Sequence, residues 1–314
     1  MKIVAKTENN DIATVYVART QQGKLIEFVE SVQPPIPRSE KWVLIISTLF
    51  GCPVKCKFCD SGGFYKGKLS KEEIFEQIDY MVAHHFPDRI VSIPKFKIQF
   101  ARMGEPVLNP AVLEVLTEFD QRFDAPGFLP SVSTIAPVGC DSFLDQLVDI
   151  KNEKFLGNFQ MQFSIHTTNE KHRDWLIPVR KWSFDRISDY GRRFKTSEDK
   201  KITLNFAMAD DNEIDTSVLL RHFDPEIFLI KITPVNPTFQ AEKNNLGSKI
   251  IDQDRLEITE KIRQAGYGVI VSIGELEENQ IGSNCGQHLM NYLNQNQKPQ
   301  GAYSYSLEKC EECQ

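Results

Sequence analysis

Three cysteines, Cys52, Cys56 and Cys59, fall within the run GCPVKCKFCDSG at the spacing C-x3-C-x2-C. Thiolates this close can wrap one small inorganic centre inside a loop. A zinc ion would want a fourth cysteine or histidine nearby, and the run carries none. Three thiolates with a missing fourth ligand suit a 4Fe-4S cluster with one open iron, where a substrate or cosubstrate could bind. A zinc site completed from a distance and a set of incidental thiols are the alternatives.

Other residues able to do chemistry follow apolar runs. ARMGEP places Gly104, Glu105 and Pro106 just past one such run, and Ser133 and Thr134 close the next. Ser164 and His166 close a third, and Pro234, Asn236 and Pro237 follow a fourth. Singly, each has a bland reading: a turn for the Gly-Glu-Pro triplet, a cap for a serine, a packed ring for His166. Their recurrence at the ends of successive runs is what marks a shared rim.

The elements that must position them can be read from hydrophobic period. WVLIIST (42–48), FKIQFARM (96–103), LPSVSTI (129–135), FQMQFSI (159–165), ITLNFAM (202–208) and IFLIKIT (227–233) read as six short buried strands. Between them lie helical patterns. Ser70 and Glu73 form a Ser-x-x-Glu capping box for a helix running to Phe86, and Asn109 with Pro110 reads as an N-cap and first helical residue. Asp141 and Asp215 could start two more helices, and a helix from Asp252 to Ala265 would end at Gly266. Strand and helix in alternation predict an α/β fold whose parallel sheet curls into a full or partial barrel, with chemistry at the C-terminal ends of the strands.

Three segments are expected: an N-terminal β hairpin appendage over 1–36, the barrel over 37–290 and a polar tail over 291–314 that holds Cys310 and Cys313 and is expected to be loosely ordered. The 314 residues, 41% of them hydrophobic, are enough to bury a sizeable core. No stretch of secretory or membrane-spanning length is present, so a cytoplasmic location is expected. Seven cysteines, an odd number clustered in this way, are a poor match to a disulfide framework. A net charge of −6 removes long-range attraction to nucleic acid, so an RNA substrate would need a local basic surface. The span Lys171 to Lys195, with eight lysines and arginines, three aspartates and interleaved Trp175, Trp182, Phe184 and Tyr190, could be that surface or a solvated outer face.

The cysteine triplet, with Phe58 before its last member, resembles the radical S-adenosylmethionine superfamily. The resemblance implies a partial (β/α)6 barrel of TIM type and a cluster at Cys52, Cys56 and Cys59. Its open iron would chelate S-adenosylmethionine, and one electron would split the sulfonium to yield a 5'-deoxyadenosyl radical. It also implies that Gly104 and Glu105 hold the cosubstrate's amino group. Phe58, Ser133, Ser164, His166 and Asn236 would line the same cosubstrate, and a flavodoxin or ferredoxin would donate the electron.

Read together, CPVKCKFC, RMGEPVLN, VSTIAPVG, FSIHTTNEKHRDWLIP, ITPVNPT and NCGQHL resemble the RlmN/Cfr family of radical methyltransferases, in that order. That family methylates adenine carbons of RNA, and the resemblance makes Cys285 the residue that first carries the methyl group on sulfur. Two departures stand out. The family has a second cysteine seven residues before the first cluster cysteine, which releases the product through a disulfide; here that position is Ile45. Cys140, Cys310 and Cys313 are the remaining thiols. The family's helical RNA-gripping N-terminal domain is replaced by the β appendage, which leaves RNA, a small molecule and a peptide open as substrates. The expected function is C-methylation through Cys285; radical hydrogen abstraction without methyl transfer, and a non-enzymatic redox role for the cluster, are the alternatives.

Overall fold

The computed structural model of the chain describes residues 1–32, 34–209, 212–247, 253–272, 276–283, 288–294, 298–299 and 301–310. Three antiparallel strands open it, β1 (Lys2–Asn9), β2 (Ala13–Arg19) and β3 (Leu25–Ser31). β3 pairs antiparallel with β4 (Lys41–Ile46), and from there every step is parallel. β5 (Lys95–Phe100), β6 (Phe128–Thr134), β7 (Gln160–Ser164), β8 (Ile202–Met208), β9 (Phe228–Pro234) and β10 (Val269–Val271) follow in sequence order.

Parallel neighbours need crossovers, and helices supply them. α1 (Lys71–His85), α2 (Ala111–Glu118) and α3 (Asp141–Lys154) link β4 through β7. α4 (Glu170–Leu176) and α5 (Phe184–Phe194) link β7 to β8, α6 (Thr216–His222) links β8 to β9, and α7 (Phe239–Lys243) and α8 (Gln253–Gln264) precede β10. The chain continues through α9 (Leu276–Ile281), α10 (His288–Asn294) and the two-residue β11 (Glu308–Lys309).

The six runs read as buried strands are β4 to β9. Side chains alternate across each. Trp42, Leu44 and Ile46 on β4, Phe96, Ile98 and Phe100 on β5, and Phe228, Ile230 and Ile232 on β9 belong to one large core under the crossover helices. Trp42 stacks on Phe96 with centroids 5.1 Å apart, and Phe119 stacks on Phe128 at 3.7 Å. Burying an aromatic of this size stabilises by about 2–3 kcal/mol. The intervening residues, such as Lys97, Gln99, Asn205 and Lys231, therefore face the barrel interior.

Local signals behaved as their chemistry requires. Ser70 Oγ accepts the Glu73 N–H at 3.1 Å and Glu73 Oε2 accepts the Ser70 N–H at 2.9 Å, closing the capping box of α1. Asp215 caps α6 by accepting from Ser217 N at 2.7 Å. Pro110, rather than Asn109, is the residue before the first turn of α2. Asn109 instead ties that turn to the β4 exit, donating from Nδ2 to Thr48 O and Leu69 O at 2.8 Å each.

The region after Leu289 departs from the expected loose tail. α10 runs to Asn294, and β11 pairs antiparallel with β1 through Ala5 and Lys6. Ile281 packs with Val15, Val29 and Ile45, and Leu289 with Val4, Val17 and Met103. The C-terminal elements thus cover the face of β1–β3 that the crossover helices leave open. A two-residue strand carries too little periodicity to be read in advance.

Candidate active site

The chain leaves β4 into the cysteine loop, which closes on itself. Cys52 N–H donates to Ser61 O at 2.6 Å, Cys59 N–H to Cys56 O at 3.1 Å and Gly62 N–H to Cys59 O at 3.3 Å. A Cβ on Gly62 would stand 2.6 Å from Lys55 Cα, and Lys55 itself has φ +59°, so only glycine lets the loop's two limbs meet.

A second set of bonds ties this loop to the far side of the sheet. Asp60 is buried; its carboxylate accepts from Phe239 N at 3.2 Å and Gln240 N at 2.9 Å, at the start of α7. Thr238 Oγ1 donates to Phe58 O at 2.8 Å, and Asn244 Nδ2 donates to Lys57 O at 2.8 Å. Lys57 N–H reaches Leu176 O at the end of α4 at 2.9 Å. The loop is therefore held from β9 and from α4 as well as by β4.

Burial pushes the Cys52 thiol up to about 12, with Cys59 adding to it, and pushes the Cys56 thiol well above its ordinary value. Cys52 and Cys59 both act on Cys56, so the three sulfurs share one neighbourhood. Thiols this costly to ionise alone become thiolates by binding metal, which repays the burial. Among the described residues no three metal-binding side chains converge on a single ion.

Past β5, Gly104 has φ +103° and a Cβ there would stand 2.5 Å from Leu49 Cβ, so the β5 exit lies flat against the β4 exit. That contact delivers Glu105 into the interior. Its Oε2 accepts the Ile135 N–H at 3.0 Å, while Oε1 is buried with no hydrogen-bond partner. Burial pushes the carboxyl up to about 7, against the lowering influence of the neighbouring Thr134, Ile135 and Val107. A buried acceptor without a donor is costly, and a cationic amine would relieve it.

His166, two residues past the end of β7, adopts φ +66° and is buried. Its Nδ1 accepts from Ala207 N at 3.1 Å, and burial with help from Arg173 holds its pKa down to about 3, so the ring is neutral. The Phe58 ring meets it edge-on at 4.7 Å and 71°. Ala136, past β6, has φ +52°. Lys55, Ala136 and His166 thus place left-handed non-glycine residues at the exits of β4, β6 and β7, strain of about 1–3 kcal/mol each that such sites retain for function.

Ser133 and Ser164 lie half-buried at the ends of β6 and β7, on the inward face, and Asn236 lies half-buried between β9 and α7. The structure therefore brings Cys52, Cys56, Cys59, Phe58, Glu105 and His166 to one rim, with Ser133, Ser164 and Asn236 on the same set of strand exits. Cys285 and Cys313 lie outside the described residues. Cys140 is packed among core residues at the start of α3, and burial pushes its thiol up to about 12. Cys310 follows β11 and donates its N–H to Val4 O at 3.1 Å. Ile45 packs with Val29 and Ile281.

The basic span resolves into an outer face. Trp182, Phe184 and Tyr190 are core residues, and Lys181, Arg186, Arg192 and Arg193 pair with Asp174, Asp141, Asp189 and Asp145. Asp60, Thr238 and Asn244 escaped the sequence reading. Thr238 after Pro237 has the form of an N-cap, a legible signal; Asp60 and Asn244 carry none.

No protein-family model matches the chain. The dual-specificity RNA methyltransferase RlmN of Desulfotalea psychrophila is 25% identical over 283 residues, 86% of this chain and 72% of that protein. A probable RlmN of Desulfitobacterium hafniense strain Y51 is 26% identical over 295 residues, 91% and 78% of the two chains. A further probable RlmN, from Synechococcus sp. strain CC9902, is 27% identical over 212 residues, of which the chain spans only 56% of the relative's length. A crystal structure of a radical S-adenosylmethionine methyltransferase from Sphaerobacter thermophilus shares the fold, with TM-score 0.68 over 87% of this chain and 77% of that one at 21% identity.

Over most of its length the chain is similar to RlmN-type radical S-adenosylmethionine methyltransferases, and these likenesses support an RlmN/Cfr-like reading. In line with that likeness it is an α/β radical S-adenosylmethionine enzyme, with a 4Fe-4S cluster and S-adenosylmethionine as cofactors. The rim fits both groups: three thiols in one loop for the cluster, and the buried Glu105 Oε1, without a hydrogen-bond partner among the described residues, for a cationic amine. No helix among the described residues is long and apolar enough to cross a membrane.

Proposed function

We propose that this RlmN/Cfr-like chain methylates an unreactive carbon of an RNA base, with Cys285 as the methyl carrier. The buried, partnerless Glu105 Oε1 beside three thiols at one strand rim carries this reading.

Cys52, Cys56 and Cys59 would hold the cluster. When bound, it supplies the electron that splits the sulfonium of S-adenosylmethionine and so generates a 5'-deoxyadenosyl radical. Glu105 accepts hydrogen bonds from the cosubstrate's amino group, and Gly104 lets its backbone approach closely enough to do so. Neutral His166, locked by the Ala207 N–H, backs the Phe58 ring and keeps the cysteine loop seated. Ser133, Ser164 and Asn236 offer hydroxyl and amide groups at neighbouring exits. Cys285 receives a methyl group on sulfur and hands its carbon to a substrate atom too poor a nucleophile for direct transfer.

Release of the product needs a second thiol. Ile45 cannot supply one, and Cys140 sits in the helix-side core, so Cys310 or Cys313 is the group we assign to that step. A cluster held by thiolates requires a reducing compartment, which supports a cytoplasmic enzyme fed by a flavodoxin or ferredoxin.

The test is anaerobic reconstitution with iron and sulfide, followed by S-adenosylmethionine and reductant. The expected result is iron rather than zinc in the protein, 5'-deoxyadenosine in solution, and a Cys285 peptide heavier by one methyl group. Formation of 5'-deoxyadenosine with Cys285 unmodified in every preparation would instead establish hydrogen abstraction.

A further inference from the structure

On a chain of net charge −6, a nucleic-acid substrate needs a local basic surface. The cations Lys181, Arg186, Arg192 and Arg193 do not provide it, because aspartates already pair with them. A cavity of about 230 Å³ at the foot of the cysteine loop does. Three parts of the chain wall it: the β2–β3 turn with Arg19 and Lys24, the closing limbs of the cysteine loop with Phe50, Phe64 and Lys66, and α10 with Leu293. Among the described residues no acidic side chain lines it.

The sheet sets its position. Val29 on β3 stands opposite Ile45 on antiparallel β4, so the β2–β3 turn lies at the end of the sheet where β4 exits into the cysteine loop. The cavity is therefore at the rim, yet shares no residue with the set assigned to the cluster and its cosubstrate. α10 begins three residues after Cys285, so the cavity is also close in sequence to the proposed methyl carrier.

Local bonds hold its cations together. The limbs of the loop meet in a short ladder, Phe50 N–H donating to Gly67 O at 2.9 Å and Lys66 N–H to Phe50 O at 2.7 Å. A Cβ on Gly67 would stand 3.8 Å from Lys24 Nζ, which lies 4.6 Å over the Phe50 ring. Arg19 reaches back to Gly23 O at 3.2 Å. None of the three cations forms an ion pair among the described residues. Half-buried Phe64 and Leu293, which is 48% exposed, carry the apolar wall out to solvent.

An aromatic wall beside unpaired cations matches a ligand with a flat ring and an anionic group, the two parts of a nucleotide. The volume is below the roughly 300–1,000 Å³ of an ordinary small-molecule cleft, which suits one unit of a longer chain. An acidic protein partner would need a flat charged face rather than an apolar recess. We propose that this cavity binds one nucleotide of the substrate RNA, its base against Phe64 and its phosphates at Arg19, Lys24 and Lys66. The proposal rests on the reading of the chain as an enzyme acting on RNA and gives that reading a place where the strand is gripped beside the rim.

The test uses the full chain without reductant or S-adenosylmethionine, so it stands apart from radical activity. Binding of a 5'-fluorescein-labelled hexaadenylate RNA is followed by anisotropy across a salt series. Wild type is expected to bind saturably. Lys24→Gln with Lys66→Gln should weaken binding about tenfold or more. The pair should also flatten the slope of log affinity against log salt by about 0.7 for each lysine removed. Phe64→Leu should weaken binding about tenfold while leaving that slope as in wild type, because it removes stacking and no charge. Leu293→Glu, at an exposed position, should weaken binding by placing a carboxylate at the mouth. Arg192→Gln with Arg193→Gln, on the outer face, should bind as wild type does. Lysine variants that bind like wild type, outer-face variants that lose as much, or hexa-aspartate competing as well as unlabelled RNA would overturn the proposal while the RNA reading stands. A wild type that binds no RNA would remove both, and the formation of 5'-deoxyadenosine on reconstitution would still decide the radical reading by itself.

Discussion

Glu27 on β3 and Arg102 just past β5 form a fully buried ion pair, Nε to Oε1 at 2.7 Å, that also grips both ends of the segment carrying Cys285. Arg102 donates to Gly282 O at 2.7 Å and Ser283 O at 3.1 Å, while Glu27 Oε2 accepts the Leu289 N–H at 2.6 Å. Burial raises the Glu27 carboxyl, and Arg102 opposes it. Removing one partner leaves a buried charge unpaired. Glu27→Gln is expected to cost about 3 kcal/mol in urea unfolding. Adding Arg102→Met to it should recover more than half of the loss, since a buried pair replaced as a whole is far cheaper than one broken. Equal stability of Glu27→Gln and wild type would mean the pair is not buried in solution.

Glu105→Gln tests the vacancy at Oε1. The amide retains the shape and can still accept at one oxygen, but it loses the charge that would favour an ammonium. Affinity for S-adenosylmethionine in the reconstituted protein should fall about tenfold or more. Unfolding should change little, because the variant keeps an acceptor for Ile135 N and relieves a buried carboxylate. Unchanged affinity by equilibrium dialysis would assign Glu105 a structural part only.

Asp60→Ala tests the tie between the cysteine loop and α7. Two N–H groups, of Phe239 and Gln240, lose their acceptor, at a cost of about 1–2 kcal/mol. The consequence peculiar to this site is retention of iron: chelator-driven loss from the reconstituted variant should be faster than from wild type. Identical loss rates would show that Thr238 and Asn244 suffice to hold the loop.

The sequence carried the sheet because β4 to β9 each bury one whole face in a common core, so every strand shows as an apolar run. It carried the rim for a related reason: polar residues at the ends of those runs interrupt the pattern at regular intervals. What escaped it depends on pairing between distant residues. Glu27 and Arg102 are 75 positions apart, and neither has a local signature of burial. Asp60 looks like a loop acid until α7 folds back on it. For the basic span the sequence left two readings open, and the solvated outer face is the one the structure bears out: Trp182 and Tyr190 pack inward while Lys181, Arg186, Arg192 and Arg193 find aspartates on α3, α4 and α5.

Lys151 and Asp199 give the acid behaviour of the fold. Lys151 Nζ on α3 is fully buried and donates to Asp199 Oδ2 at 2.5 Å, and Asp199 also accepts from Thr196 N at 2.9 Å and Gly157 N at 3.0 Å. Burial works to raise the Asp199 carboxyl, but Lys151 and the two N–H groups outweigh it and hold the group below its ordinary value. In the unfolded chain an aspartate titrates near about 3.9. The unfolded state therefore takes up its proton first as pH falls. The stability this group contributes is complete above that value and is lost as pH drops through the lower, folded value. Asp199→Asn should remove this part of the acid limb and cost about 3 kcal/mol at neutral pH, because Lys151 is left as a buried ammonium without its carboxylate. Urea midpoints measured from neutral pH to pH 3 for both proteins check the sign: the gap between them is expected to narrow toward acid, and a constant gap would rule the linkage out.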